Sequence, residues 1–377
     1  MTVMKKDWKT KRIGDVCEVI AGQSPEGKYY NSDGNGMPFY QGKKDFGEKF
    51  IEDPTTWTTQ TTKIAREGDI LMSVRAPVGP VNFATDEVCI GRGLAAIRSR
   101  AELNRDFLFY QLLYLQPEIA GKEGAVFASI NKSEIEALSI AFAPLLEQTR
   151  VAGILDEAFE CIATAKANAE KNLQNARALF ASHLQSVFTQ RGLEWSEKKL
   201  GDLAEVLAGQ SPQGLFYNNS GDGLPFYQGK KDFGEKFITA PSTWTSQVTK
   251  IALEGDVLMS VRAPVGPINF ATQKICIGRG LAAIRSGKYL DRNFLFYFLL
   301  SNRQEIIGTE GAVFASINKS DIQQIKIPLP SLPEQKRIVE MLDSIYAETQ
   351  FLESLYQRKL DALEEMRKSV LHEAFAG

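Results

Sequence analysis

GQSPEGK at residues 22–28 has the outline of a phosphate-binding loop, in which backbone N–H groups cradle phosphates and a lysine reaches them. The residue after Lys28 is Tyr29, so the hydroxyl that would hold a metal is missing. A near-copy at 209–215 ends in Leu215, losing the lysine as well. The segment reads as a turn. GRGLAA at 91–96, and again at 278–283, has the spacing of a dinucleotide fingerprint, but AAIRS beyond it looks like a strand rather than the helix such a site needs. It reads as a tight turn between strands.

Other catalytic chemistry finds little to work with. The two histidines, His183 and His372, lie in helical stretches and do not occupy equivalent positions in the repeat described below. The four cysteines, Cys17, Cys89, Cys161 and Cys276, form no CxxC pair, which argues against a zinc cluster or a disulfide scaffold and fits a reducing cytoplasm. No Ser, Cys or Lys stands in a recognisable nucleophile context. What remains is a set of polar and cationic residues on Gly-punctuated segments. YQGKKDFG supplies Gln41, Lys43 and Lys44, mirrored by Gln228, Lys230 and Lys231. SVRAPVG supplies Arg75 and Arg262, CIGRG supplies Arg92 and Arg279, and ASINKS supplies Asn131, Lys132, Asn318 and Lys319. Arg and Lys suit phosphates and guanine, Asn and Gln suit adenine, so these are candidate DNA contacts. Solvated Gly-Lys-Lys turns are the competing reading.

The elements that position these residues are written twice. An offset of 187 residues carries Trp8 onto Trp195 and Trp57 onto Trp244, and 8–188 aligns with 195–375 without a gap. PFYQGKKDFGEKFI, LMSVRAPVGP, CIGRGLAAIRS and EGAVFASINKS recur unchanged. The period is far too long for a solenoid, so the chain is a tandem duplication of a domain-sized unit. The first part of each copy is rich in Gly, Pro, Thr and aromatics. Ile70 to Val74 and Val81 to Phe83 read as short strands, and Arg105 to Leu115 as a helix. In SPEGKYYNSDGNGMP, Gly34, Asn35 and Gly36 are expected to supply positive φ. This mixture predicts an α/β (mixed α+β) domain.

The last stretch of each copy changes character. Between 147 and 188 there is no Pro and only Gly153, and between 334 and 375 there is neither. Apolar residues such as Val151, Ile154, Phe159, Ile162 and Leu184, or Ile338, Met341, Leu355, Met366 and Val370, fall mostly at three- and four-residue steps. Two long helices result, each expected to pair with the other, although each folding back on its own domain as two shorter helices stays open. The expected organisation is therefore 1–146 as a first globular domain, 147–188 as a central long helix, 189–333 as a second domain and 334–377 as a C-terminal long helix.

Composition sets outer limits. Hydrophobic residues make up 44% and charged residues 24% of the 377, which excludes global disorder. No apolar run approaches the ~18 residues that span a bilayer, and MTVMKKDWKTKR lacks the apolar stretch of a secretory signal. With 44 Lys+Arg against 46 Asp+Glu, neither copy is strongly basic, so tight DNA binding would need basic surface from a partner.

The order PFYQGKKDFG, GDILMSVRAPVGPVNFA, CIGRGLAAIR and then PLPSLPEQKRIVEMLDSI entering a long helix, all present twice, resembles the specificity subunit of Type I restriction-modification systems. In the first copy the junction reads APLLEQTRVAGIL, without Pro328, Pro330 and Pro333 of the second, so entry into the first helix is open to differ. The resemblance implies two target recognition domains joined by two long antiparallel helices that form a coiled coil, with an internal pseudo-twofold repeat. It implies a cytoplasmic, non-catalytic subunit that reads bipartite double-stranded DNA. Its partners would be two modification (methyltransferase) subunits and the restriction (endonuclease/translocase) subunits, with no membrane. The chain would hold no cofactor of its own, S-adenosylmethionine, ATP and Mg being expected on those partners. Because the copies share long identical blocks, the target is expected to be near-palindromic. A duplicated-domain protein interaction scaffold without DNA readout is the competing function, and an enzyme with a site between the domains is a further one.

Overall fold

The computed structural model describes residues 8–121, 129–190, 192, 194–303, 306 and 316–376. The first six residues of each EGAVFASINKS block lie outside these. The chain divides into two compact units, one formed by residues 1–170 and 358–377, the other by 171–357. Each draws on both long helices.

In the first unit β1 (Lys9–Arg12), α1 (Ile13–Val16) and β2 (Cys17–Ala21) lead into β3 (Tyr30–Asn31), β4 (Met37–Tyr40), β5 (Trp57–Thr58) and β6 (Ile64–Ala65). Then come β7 (Ile70–Ser73), β8 (Val81–Phe83), β9 (Val88–Ile90) and β10 (Leu94–Ser99). The unit closes with α2 (Arg105–Ile119), α3 (Lys132–Ala137), β11 (Ser139–Phe142) and the start of α4 (Leu145–Thr189). One sheet has the order β2-β10-β7-β8, all antiparallel. The other has the order β3-β5-β4-β9-β6, with β4 and β9 parallel. β1 pairs with β11 alone.

Period-two alternation explains the layering. Along β7, Ile70 and Met72 join a core that includes Phe107, Tyr110 and Leu112 of α2, while Leu71 joins the core between the sheets with Tyr40, Ile90 and Leu94. Along β10, Ala95 and Ile97 take the first side and Leu94 and Ala96 the second. Both faces are covered, which is why these strands read as apolar runs. The larger core also takes in Val151, Ala152 and Leu155 from the start of α4, and Leu371, Ala374 and Phe375 from the C-terminal long helix, Leu332–Phe375. Further along, Arg367 lies over Phe159. The two helices therefore run antiparallel within this unit. Arg98, on β10, grips the buried Asp69 carboxylate with two parallel bonds of 2.9 and 2.8 Å.

The second unit repeats these elements 187 residues on, with sheets of the same strand order. Its core combines the sheet and the helix Arg292–Ser301 with Leu184 and Phe188 of α4 and Ile338, Val339 and Leu342 of the C-terminal long helix. Phe180 packs on Tyr346, and Arg177 pairs with Glu353 at 3.1 Å, so here too the helices run antiparallel.

Two local expectations are corrected. Gly34 and Gly36 adopt φ of 81° and 94°, but Asn35 does not have positive φ. A Cβ on Gly36 would also sit 2.2 Å from the Thr58 carbonyl oxygen, so only glycine fits there. The apolar stripes are narrower than the spacing suggested: Ile154, Met341, Leu355 and Met366 are exposed. Mixed three- and four-residue steps spread over a wide arc of a long helix, and only part of that arc meets a partner.

Candidate nucleic-acid interface

Four backbone segments meet at the C-terminal end of β7. Gln41-Gly42-Lys43 follows β4, Arg75 follows β7, Gly91-Arg92-Gly93 turns from β9 into β10, and Ser129–Lys132 leads into α3. Hydrogen bonds lace them together. Gly91 N–H donates to the Tyr40 carbonyl at 2.8 Å, Val74 N–H to Gly93 at 2.9 Å, and Ile130 N–H to Val74 at 3.0 Å. The Ser24 hydroxyl accepts from Arg92 N–H at 3.2 Å. A Cβ on Gly93 would lie 2.2 Å from the Gln41 carbonyl oxygen, so the close approach of these turns requires glycine. The turn expected from GRGLAA is thus part of the platform, and so is the serine of GQSPEGK.

Two adjoining depressions open on this platform. One, of about 390 Å³, is lined by Gln41, Lys43, Ser73, Arg75 and Arg92 among others. The next, of about 400 Å³, shares Arg75 and Arg92 and adds Ser129, Asn131 and Lys132. Among the described residues Arg75 and Arg92 make no ion pair, and both are exposed. Their guanidinium groups are free to meet an anion or a base edge, on backbone that is already fixed.

The second unit has the corresponding depression of about 250 Å³, lined by Arg262, Arg279, Ser316, Asn318 and Lys319 among others. Arg279 N–H donates to the Ser211 hydroxyl at 3.1 Å. Gln228, Lys230 and Lys231 are exposed on the adjoining turn but do not line it. Every residue lining the depressions of the first unit has the same residue type 187 positions later.

The structure separates the sequence candidates. Gln41, Lys43, Arg75, Arg92, Asn131 and Lys132 converge. Lys44 does not line either depression, and its ammonium lies 3.6 Å from the Asp45 carboxylate. Burial pushes Asp45 above the usual carboxylate range against the opposing effect of Lys44. Asn131 is the N-cap of α3: its side-chain oxygen accepts from Glu134 N–H, and the Glu134 carboxylate accepts from Asn131 N–H. Asn318 and Asp321 repeat this box. The amide nitrogens make no hydrogen bond among the described residues and remain for a ligand. Sequence reasoning missed Ser24, Ser73 and Ser129, whose only signal was nearness to the glycine turns. His183 and His372 are exposed on the long helices, and no group of three or more potential metal ligands occurs among the described residues.

The Type I restriction modification DNA specificity domain family matches residues 5–175 and 193–359. The chain is 31% identical over 420 residues to a Methanocaldococcus jannaschii protein carrying the name MjaX specificity subunit of a type I restriction enzyme, covering 99% of this chain and 93% of that one. A chain from a structure describing complex assembly and conformational transition of a type I R-M system matches with a TM-score of 0.86 and 29% identity over 98% of both chains. The HsdS subunit of Thermoanaerobacter tengcongensis matches with a TM-score of 0.64 and 28% identity, over 98% of this chain and 97% of that one.

Proposed function

The chain belongs to the family of type I restriction-modification DNA specificity subunits, and from that premise we propose that its two concave surfaces read two copies of one DNA half-site. It is a non-catalytic DNA-recognition subunit that acts with modification and restriction subunits. On our reading it works in the cytoplasm, where its DNA lies, and S-adenosylmethionine, ATP and Mg are carried by the partners.

One observation carries the half-site proposal: every residue that lines the depressions of the first unit recurs in type 187 positions later. Arg75 and Arg92, with Arg262 and Arg279, are the residues best placed to enter a groove. Gln41, Asn131 and their counterparts flank them, and Lys43 and Lys132 supply phosphate contacts. Identical readers favour identical half-sites. A pseudo-twofold repeat, as the sequence resemblance implies, would make the target an inverted, interrupted palindrome rather than a direct repeat. Positions where the copies differ, such as Lys28 against Leu215, Asp33 against Ser220 and Asp53 against Ala240, line none of these depressions. Sequencing of methylated bases in the source organism, with and without this gene, tests the reading. The expected result is one interrupted palindrome with adenine methylated in both halves. Two unrelated half-sites would overturn it.

A further inference from the structure

Arg75 and Arg262 stand on loops that are poor in donors of their own. Between Arg75 and Pro80, Pro77 and Pro80 bring no backbone N–H, so carbonyl groups outnumber donors. Ser73, the last residue of β7, supplies what is missing. Its hydroxyl shares one proton between the Arg75 carbonyl at 3.2 Å and the Pro77 carbonyl at 3.0 Å. Its N–H donates to the Pro80 carbonyl at 2.8 Å, and its own carbonyl accepts from Gly79 N–H at 3.0 Å. Every polar group of this residue is thus turned on the loop. Ser260, which ends the strand Val257–Ser260, does the same. Its hydroxyl reaches the Arg262 and Pro264 carbonyls at 3.3 and 3.0 Å, and its backbone bonds Pro267 and Gly266 at 2.8 and 3.0 Å. Both serines are 3% exposed, whereas Arg75 and Pro77, with Arg262 and Pro264, are exposed.

We propose that Ser73 and Ser260 are positioning residues for DNA reading: they fix the backbone from which Arg75 and Arg262 enter the groove, and do not touch the DNA themselves. This role rests on the reading of DNA by the two concave surfaces. On the near side of Arg75, Val74 N–H is held by the Gly93 carbonyl and the Val74 carbonyl by Ile130 N–H. On the far side the hold is the Ser73 hydroxyl, at the carbonyl of Arg75 itself and again two residues on. The guanidinium makes no ion pair among the described residues, so the backbone alone decides where the side chain starts. A two-pronged contact with a guanine edge tolerates little misplacement. An arginine launched from fixed backbone also has less freedom to lose when it binds. The Ser73 proton points inward at two carbonyls, which leaves no donor for a phosphate. Without the hydroxyl, water can serve those carbonyls because Arg75 and Pro77 are exposed, so the loop loosens while the fold stands.

The test uses the full chain in complex with its modification subunits and two duplexes. One carries the site read from methylated bases, the other the same composition with that site scrambled. Ser73→Ala with Ser260→Ala should lower the preference for the first duplex by about tenfold, as for a weakened base contact. Ser73→Ala alone should relax discrimination in one half of the site and Ser260→Ala alone in the other, so the untouched half controls for folding. The deciding measurement adds Arg75→Ala and Arg262→Ala. In that background the serine substitutions should change the preference no further, while lowering the melting temperature by the same amount as in the wild type. A further loss of preference there would make the serines direct DNA contacts. No loss from the serine pair, where the arginine pair alone shows one, would make the hydroxyls merely structural. Either result overturns the proposal. If the arginine pair itself leaves the preference untouched, the surfaces do not read DNA through these arginines, and that reading falls first, taking the positioning role with it.

Discussion

The Tyr110 hydroxyl donates to the Asp156 carboxylate across 2.6 Å, tying α2 to α4. Lys49 reaches the same oxygen at 2.5 Å from a loop 107 residues away. In the second unit Tyr297 and Lys236 converge on Asp343 at 2.5 and 2.7 Å. Removing one donor, by Tyr110→Phe, should cost about 1.5 kcal/mol, the low end for a bond to a charged group, because the Asp156 side chain stays 41% exposed. Asp156→Ala should cost more, since it also strips Lys49 of a partner. Urea unfolding of the two variants checks the order, and equal midpoints for all three proteins would show the node to be idle.

Alkaline pH should destabilise the fold through buried tyrosines. Burial, with nearby Asp45 next, pushes Tyr40 up to about 12, and burial with Asp232 does the same for Tyr227. The unfolded chain titrates near 10, so it loses protons first. Stability is intact below pH ~10 and falls as pH rises towards ~12. Tyr40→Phe with Tyr227→Phe should make that fall shallower. Denaturant midpoints measured across this window decide it, and an unchanged slope would assign the alkaline loss to other groups.

The thiols should divide sharply. Cys161 is exposed, whereas Cys17, Cys89 and Cys276 are buried. Burial pushes the Cys17 thiol up to about 12, against the opposing pull of Arg100. A chromogenic disulfide reagent should therefore find one fast thiol in the native protein, and Cys161→Ser should abolish it. Rapid reaction of the variant would mean that a buried thiol opens readily.

Salt dependence should distinguish neighbouring lysines. Replacing Lys43 and Lys230 with alanine should lower the slope of log affinity against log salt by about 2 for the complex on its target. The Lys44 and Lys231 pair should matter less, since Lys44 is already beside Asp45. Equal effects of the two pairs would place both on the DNA backbone.

Much of this was legible in the sequence, for identifiable reasons. The duplication was visible in identical blocks, and the long helices in the absence of breakers. Arg75 and Arg92 stood out because glycine and proline punctuate their segments, and those turns are what bring them together. The N-cap role of Asn131 was also readable, since Asn131 with Glu134 fits the capping-box spacing. What separates Lys43 from Lys44 is the buried Asp45 beside the latter, which spacing does not reveal. The convergence of Lys49 and Tyr110 on Asp156 depends on packing across distant segments, beyond the reach of any local pattern. Exposure of Leu355 and Met366 depends on which arc of a helix meets a neighbour.

The first unit's core contains Leu371, Ala374 and Phe375, and Phe107 meets the Phe375 ring edge-on at 5.5 Å. During synthesis these residues leave the ribosome only after every residue of the second unit. The first unit must wait with its α2 face uncovered while its sister emerges, and then close a loop of nearly two hundred residues, for which the entropic cost rises only slowly with length. The second unit, 171–357, is continuous in the chain and has no such delay. Order of birth and order of completion are therefore reversed: the unit that emerges first is finished last, and a nascent chain stalled after the second unit would present an incomplete first core to chaperones and proteases.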